Sequence, residues 1–131
     1  MMKEGHFTEG GALNSFGESW NFEGKNFKSE MNYQLFGTTI NYLIENNILE
    51  IPDYIKIDVD GIEHLILEGG NQILKKTKSI LVEVDESFVT QVERTKKYLT
   101  EAGLKLIEKK HSDLIEKSKF KSVFNQIWEK V

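Results

Sequence analysis

Pro52-Asp53-Tyr54-Ile55-Lys56-Ile57-Asp58-Val59-Asp60-Gly61-Ile62-Glu63 is the stretch on which the fold turns. From Tyr54 to Asp60 it alternates: Ile55, Ile57 and Val59 fall on one side and Lys56, Asp58 and Asp60 on the other, the period of two that a strand requires. Gly61 ends that strand. Ile62, Leu65, Ile66, Gly69 and Ile73 then recur at steps of three and four, which predicts a helix with Glu63, Glu68 and Gln72 away from its apolar stripe. Gly69-Gly70 breaks or kinks it. Just upstream, Thr38 or Thr39 can cap a helix carrying Ile40, Leu43, Ile44 and Ile48, and Pro52, the only proline, marks its far end.

Further along, Ser79 to Val84 is a short β-branched run, apolar enough for a strand buried on both faces. A helix from about Ser87 to Glu101 follows, turning Phe88, Val92, Leu99 and Ala102 inward, with Gly103 as its stop. Leu104 to Lys109 and Val123 to Lys130 read as two last strands joined by a polar, lysine-rich loop. Strands alternating with helices of this length indicate βαβ units and a parallel sheet. Residues 1–37 differ in kind. They hold six of the ten glycines and many aromatics without a sustained period, which reads as loops and short extended pieces. One domain over 1–131 is expected, a loop-rich entry (1–37) followed by a regular α/β part (38–131).

Bulk composition agrees with a single folded unit. The chain has 131 residues and a mass of 15.2 kDa, with 39% hydrophobic and 29% charged residues, near ordinary globular usage. Its 17 basic and 21 acidic residues leave a net charge of −4, which argues against the basic stripe of a nucleic-acid binder. Without cysteine there is no disulfide, thiol nucleophile or cysteine-ligated zinc. No apolar run approaches the ~20 residues of a membrane span, and the first residues have no apolar signal core behind them. A soluble, cytoplasmic protein without membrane or nucleic-acid partners is the expectation.

Open α/β sheets bind ligands beyond the C-terminal ends of their strands, where Asp58, Asp60 and Glu63 fall. Neither a spaced glycine fingerprint nor a phosphate loop accompanies them. The Tyr54 to Asp60 strand also lacks an obvious partner on one edge, an exposure that proteins normally cover.

The run from Pro52 to Glu63, followed by Leu67-Glu68-Gly69-Gly70 and Ser79-Ile80-Leu81-Val82-Glu83-Val84, resembles the C-terminal half of the FkbM family of S-adenosylmethionine-dependent methyltransferases. Gly10-Gly11-Ala12-Leu13-Asn14-Ser15-Phe16-Gly17 resembles the loop after that family's third strand, and Phe124-Asn125-Gln126-Ile127-Trp128 its closing strand. The resemblance implies the C-terminal half of a Rossmann-like, doubly wound α/β sheet, with parallel strands and an antiparallel last strand. It implies S-adenosylmethionine as cofactor and a small hydroxyl acceptor, such as a sugar, as substrate. By the same likeness the strands bearing the glycine-rich cofactor loop and the ribose-binding acid are absent, so no cofactor-binding residue is assigned. The free strand edge would then be filled by that N-terminal half or by a second copy of the chain.

In the site this implies, Asp58 is placed to orient an acceptor hydroxyl, take its proton or hold a metal. Asp60 and Glu63 complete an acidic cluster, or alternatively serve the dipole of the following helix. Glu83, in the middle of an apolar strand, contacts substrate or forms a structural pair with Lys56. No metal ligand set is assigned: His64 is read as solvated or capping, and His6 and His111 lie too far along the chain to complete a ligand set. Phe16, Trp20 and Phe22 line a pocket or fill a small core. Two other functions compete. A non-catalytic α/β module for interaction or oligomerisation would use the same free edge, and Asp-x-Asp-Gly has a weaker likeness to haloacid dehalogenase phosphatases, whose motif continues with threonine where Ile62 stands here.

Overall fold

A computed structural model of the chain describes residues 1–4, 15–26, 28, 29, 31–111 and 121–131. His6, Phe7, Phe27, the Gly10 to Asn14 part of the family-like loop and most of the lysine-rich loop lie outside these residues. The entry segment forms a small antiparallel sheet in the order β2-β1-β3, from β1 (Met2–Glu4), β2 (Ser15–Phe16) and β3 (Met31–Tyr33). Short extended pieces are what its glycine-rich, aperiodic composition predicts.

The regular part builds a second sheet from β4 (Tyr54–Ile57), β5 (Ser79–Asp85), β6 (Leu104–Lys110) and β7 (Val123–Lys130), in the order β4-β5-β7-β6. β4 and β5 are parallel, while β7 is antiparallel to both β5 and β6. The last strand therefore inserts between two strands that run the same way. This is an α/β fold with a mixed sheet of the kind the resemblance implies.

Among the described residues four helices connect the strands: α1 (Ile40–Glu45), α2 (Glu63–Gly69), α3 (Asn71–Leu74) and α4 (Val89–Glu101). Thr39 caps α1, its hydroxyl accepting the Tyr42 N–H at 3.2 Å. Gly70 separates α2 from α3, as the glycine pair predicts, and Gly103 at φ +82° ends α4. Ile57, Ile80, Val82, Val84 and Trp128 from the sheet meet Leu67, Leu74 and Leu99 from the helices in one core. Each such side chain contributes roughly 1.5–3 kcal/mol by leaving water.

Two expectations are corrected here. β5 buries fully only its alternate residues Ile80, Val82 and Val84, with Asp85 at its end, whereas Ser79, Leu81 and Glu83 are half-buried. The reason is that the described helices pack on one face of the sheet, leaving Leu81 and Glu83 beside Ile127 and Asn125 on the other. β4 stops at Ile57 instead of Asp60, because the chain turns through left-handed conformations at Asp60 (φ +55°) and Gly61 (φ +103°). Val59 is left 38% exposed. Among the described residues β4 pairs with β5 alone, so its outer edge is open. No described helix is long and apolar enough to cross a membrane.

Candidate functional site

The turn between β4 and α2 is wrapped around a carboxylate. Glu63 accepts the Val59 N–H at 3.1 Å and the Gly61 N–H at 3.1 Å, and the side-chain amide of Gln91 donates to it from α4. Far from lying away from the apolar stripe, Glu63 is 2% exposed. Two backbone amides converge on it because Asp60 and Gly61 take left-handed conformations, and a buried carboxylate with donors is tolerated where a bare one is not. Burial pushes the Glu63 carboxyl above its ordinary value, while those backbone N–H groups hold it back.

Gly61 is required twice over. A Cβ there would stand 2.6 Å from the Phe22 Cα, so the backbone of residues 21 and 22 lies against the turn. This entry segment is folded by Asn21, whose side-chain oxygen accepts the N–H groups of Glu23 and Lys25 at 3.1 and 3.0 Å.

Gln91 reaches the neighbouring strand as well. Its side-chain oxygen accepts the Asp85 N–H at 2.7 Å, and Asp85 in turn holds the N–H and hydroxyl of Ser87 at 2.8 and 2.7 Å. Sequence reasoning assigned no role to Gln91 or Asp85. A signal for Gln91 exists: Gln91, Thr95 and Leu99 make the inward stripe of α4 at steps of four, and a polar residue on such a stripe needs a partner.

Beyond the last paired residue of β4 stands Asp58, exposed, with Lys56 Nζ at 2.9 Å. The structure thus pairs Lys56 with Asp58, and not with Glu83 as the structural alternative had it. Lys56 and Asp58 share a strand face at a spacing of two, while the register sets Leu81 beside Lys56. Glu83 lies near Asp58 instead, the two being the residues that follow the paired Ile57 and Val82 on adjacent parallel strands. Burial, and then the negative charges of Asp58, Glu63 and Asp60, push the Glu83 carboxyl up to about 7. Asp58 and Glu83 are therefore brought together, Asp60 adds its charge from the turn, and Glu63 lies beneath as the turn's anchor. Among the described residues no group of three or more histidine or acidic side chains could hold a metal ion.

His64 is not solvated. It is 1% exposed and packs edge-on against Phe88, with ring centroids 5.5 Å apart, and burial lowers its pKa. Trp20 meets Phe88 edge-on from the other segment at 6.4 Å, so this aromatic joins the entry segment to the start of α4. Phe16 lines a cavity of about 260 Å³ with Thr39, Ile62, Leu65 and Ile66. A second cavity of about 400 Å³ lies between α4 and the β6–β7 pair. Neither is lined by Asp58, Asp60, Glu63 or Glu83, and the candidate site is the carboxyl pair at the strand ends.

A family model, that of the methyltransferase FkbM domain, matches residues 7–127. No curated protein and no solved structure matches the chain.

Proposed function

Because the chain belongs to the FkbM methyltransferase family, we propose that it serves S-adenosylmethionine-dependent methylation of a hydroxyl on a small acceptor such as a sugar, with Asp58 and Glu83 handling the acceptor's proton. The observation that carries this reading is the meeting of these two carboxyls at the C-terminal ends of adjacent parallel strands, where α/β sheets bind their ligands. A base is most useful when its pKa lies near the working pH, and Glu83 at about 7 satisfies that. Asp58, exposed at the strand end, accepts the hydrogen bond of the incoming hydroxyl. As the acceptor oxygen forms its bond to carbon, the proton passes to the Glu83 carboxyl beside Asp58. Lys56 holds Asp58 in place and offsets part of the local negative charge.

When bound, the cofactor supplies an electrophilic methyl group on a cationic sulfur, and the carbon–sulfur bond breaks to leave a neutral thioether. Asp58, Asp60 and Glu83 fit the cationic end of such a molecule by charge. The sequence has no spaced glycine fingerprint for its adenosine and ribose. The reading therefore takes the adenosine-binding part from outside the described residues. Asp60 and Glu63 act on this site through charge and turn geometry.

The test is methyl transfer from labelled S-adenosylmethionine to a panel of small polyols and sugars, with S-adenosylhomocysteine titrated calorimetrically alongside. Asp58→Ala is expected to lower turnover roughly 10²–10⁴-fold in any active form while the circular dichroism spectrum is unchanged. Full activity in that variant removes the acid from the mechanism.

A further inference from the structure

Asp58 has no place in the β4–β5 ladder. The paired register ends at Ile57 opposite Val82, so Asp58 and Glu83 are the next residues of two adjacent parallel strands, at the point where the chain leaves β4 for the turn. That turn is folded on the Glu63 carboxylate through the Val59 and Gly61 amides. Glu63 is itself held by the Gln91 amide, and the Gln91 oxygen holds the Asp85 N–H, two residues beyond Glu83. One side chain, 1% exposed, thus ties the C-terminal ends of both strands to α4.

We infer that Gln91 is a positioning residue: by clamping Glu63 and Asp85 it holds the Asp58 and Glu83 carboxyls side by side at the strand ends. The inference rests on the proposed role of that pair, and it adds a residue on another element that controls it. Both ends of the clamp are hydrogen bonds in a dry site, where an unmade bond is costly and a made one is rigid. A methionine in place of Gln91 keeps the length of the side chain and removes both bonds. The turn then loses its anchor to α4, and Asp58 is free to move away from Glu83. The groups that face Glu83 are Lys56 on β4, Asp58 just beyond that strand, Asp60 in the turn and Glu63 at the start of α2, with uncharged Asn125 opposite on β7. Separation from Asp58 removes the nearest negative charge and so eases ionisation of Glu83.

The experiment is a carbon-detected NMR titration of the Glu83 side-chain carboxyl in the wild-type chain, Gln91→Met and Asp58→Asn. The expected result is a midpoint near 7 in the wild type that falls by about one unit or more in both variants. A folded Gln91→Met chain whose midpoint stays at the wild-type value overturns the positioning role. An unmoved midpoint in Asp58→Asn overturns the pair itself, and with it the inference. Should Gln91→Met not fold, the wild type still decides: the Gln91 side-chain NH₂ protons and the Asp85 amide exchange slowly with solvent if the clamp exists, and fast exchange at both overturns it. None of these readouts requires methyl transfer, so a failure of the methyltransferase reading leaves them standing.

Discussion

Glu63 and Glu83 are both carboxylates in largely apolar surroundings, and the fold treats them differently. Glu63 has three donors and lies under the turn, so its role is to fold residues 59–61. Glu83 faces other carboxylates, so the same burial raises its pKa to about 7 from an ordinary 4.5. A folded-state pKa above the unfolded one means that the native chain binds this proton more tightly. The contribution of Glu83 to stability is therefore greatest below pH 4.5 and is lost as the pH rises through about 7. His64 has the opposite sign: its lowered pKa favours the fold above an ordinary value of 6.5 and costs stability as the pH falls below it. Urea midpoints measured from pH 5 to 7.5 are expected to rise more steeply with pH in Glu83→Gln than in the wild type, since only the His64 slope then remains of these two. Identical pH profiles would show that Glu83 titrates normally. From the sequence, Asp58, Asp60 and Glu83 are visible as candidates through their strand positions. The partner of Glu63 is not, because it is a residue 28 positions away on another helix.

At the scale of elements, the β4–α2 turn is the part most tightly specified by its sequence. Gly61 at φ +103° sits against the backbone of Phe22, so an added methyl group meets main-chain atoms that have no rotamer by which to withdraw. Gly61→Ala is expected to lose about 1–3 kcal/mol through backbone strain alone, more with the displaced 21–22 segment. Chemical denaturation checks it, and a loss below about 0.5 kcal/mol would mean that the entry segment does not press on the turn as described. The caps are legible in the same way. Thr39, Gly70 and Gly103 end or begin their helices where residue chemistry says they should, since caps depend on neighbours a few positions away. The inward stripe of α4 is less so, because Gln91 and Thr95 occupy positions that periodicity reserves for apolar residues.

At the scale of the whole molecule, the outer edge of β4 has no strand partner among the described residues. Tyr54 is 74% exposed, with Ile48, Leu49 and Ile51 at 57%, 56% and 39% just before it. An unpaired strand with apolar flanks is a template for association. Light scattering on the purified chain is expected to give twice the 15.2 kDa protomer mass, with Ile48→Lys/Leu49→Lys returning it to one. A monomer in the unmodified chain would leave the edge open in solution and remove self-pairing as its use. Element order, the Thr39 cap, the stops at Gly70 and Gly103, the α/β class and the family-like run from Pro52 to Glu63 were all determined by sequence alone, whereas α1 ends at Glu45, short of the stop expected at Pro52. Each is written in periodicity or in short stretches of chain, over which local sterics and the alternation of apolar and polar groups act. Only the tertiary structure decided that the described helices cover one face of the sheet and that Gln91 joins two strand ends through a buried Glu63. Those outcomes depend on register and on contacts between distant segments, where burial decides which polar groups must find one another.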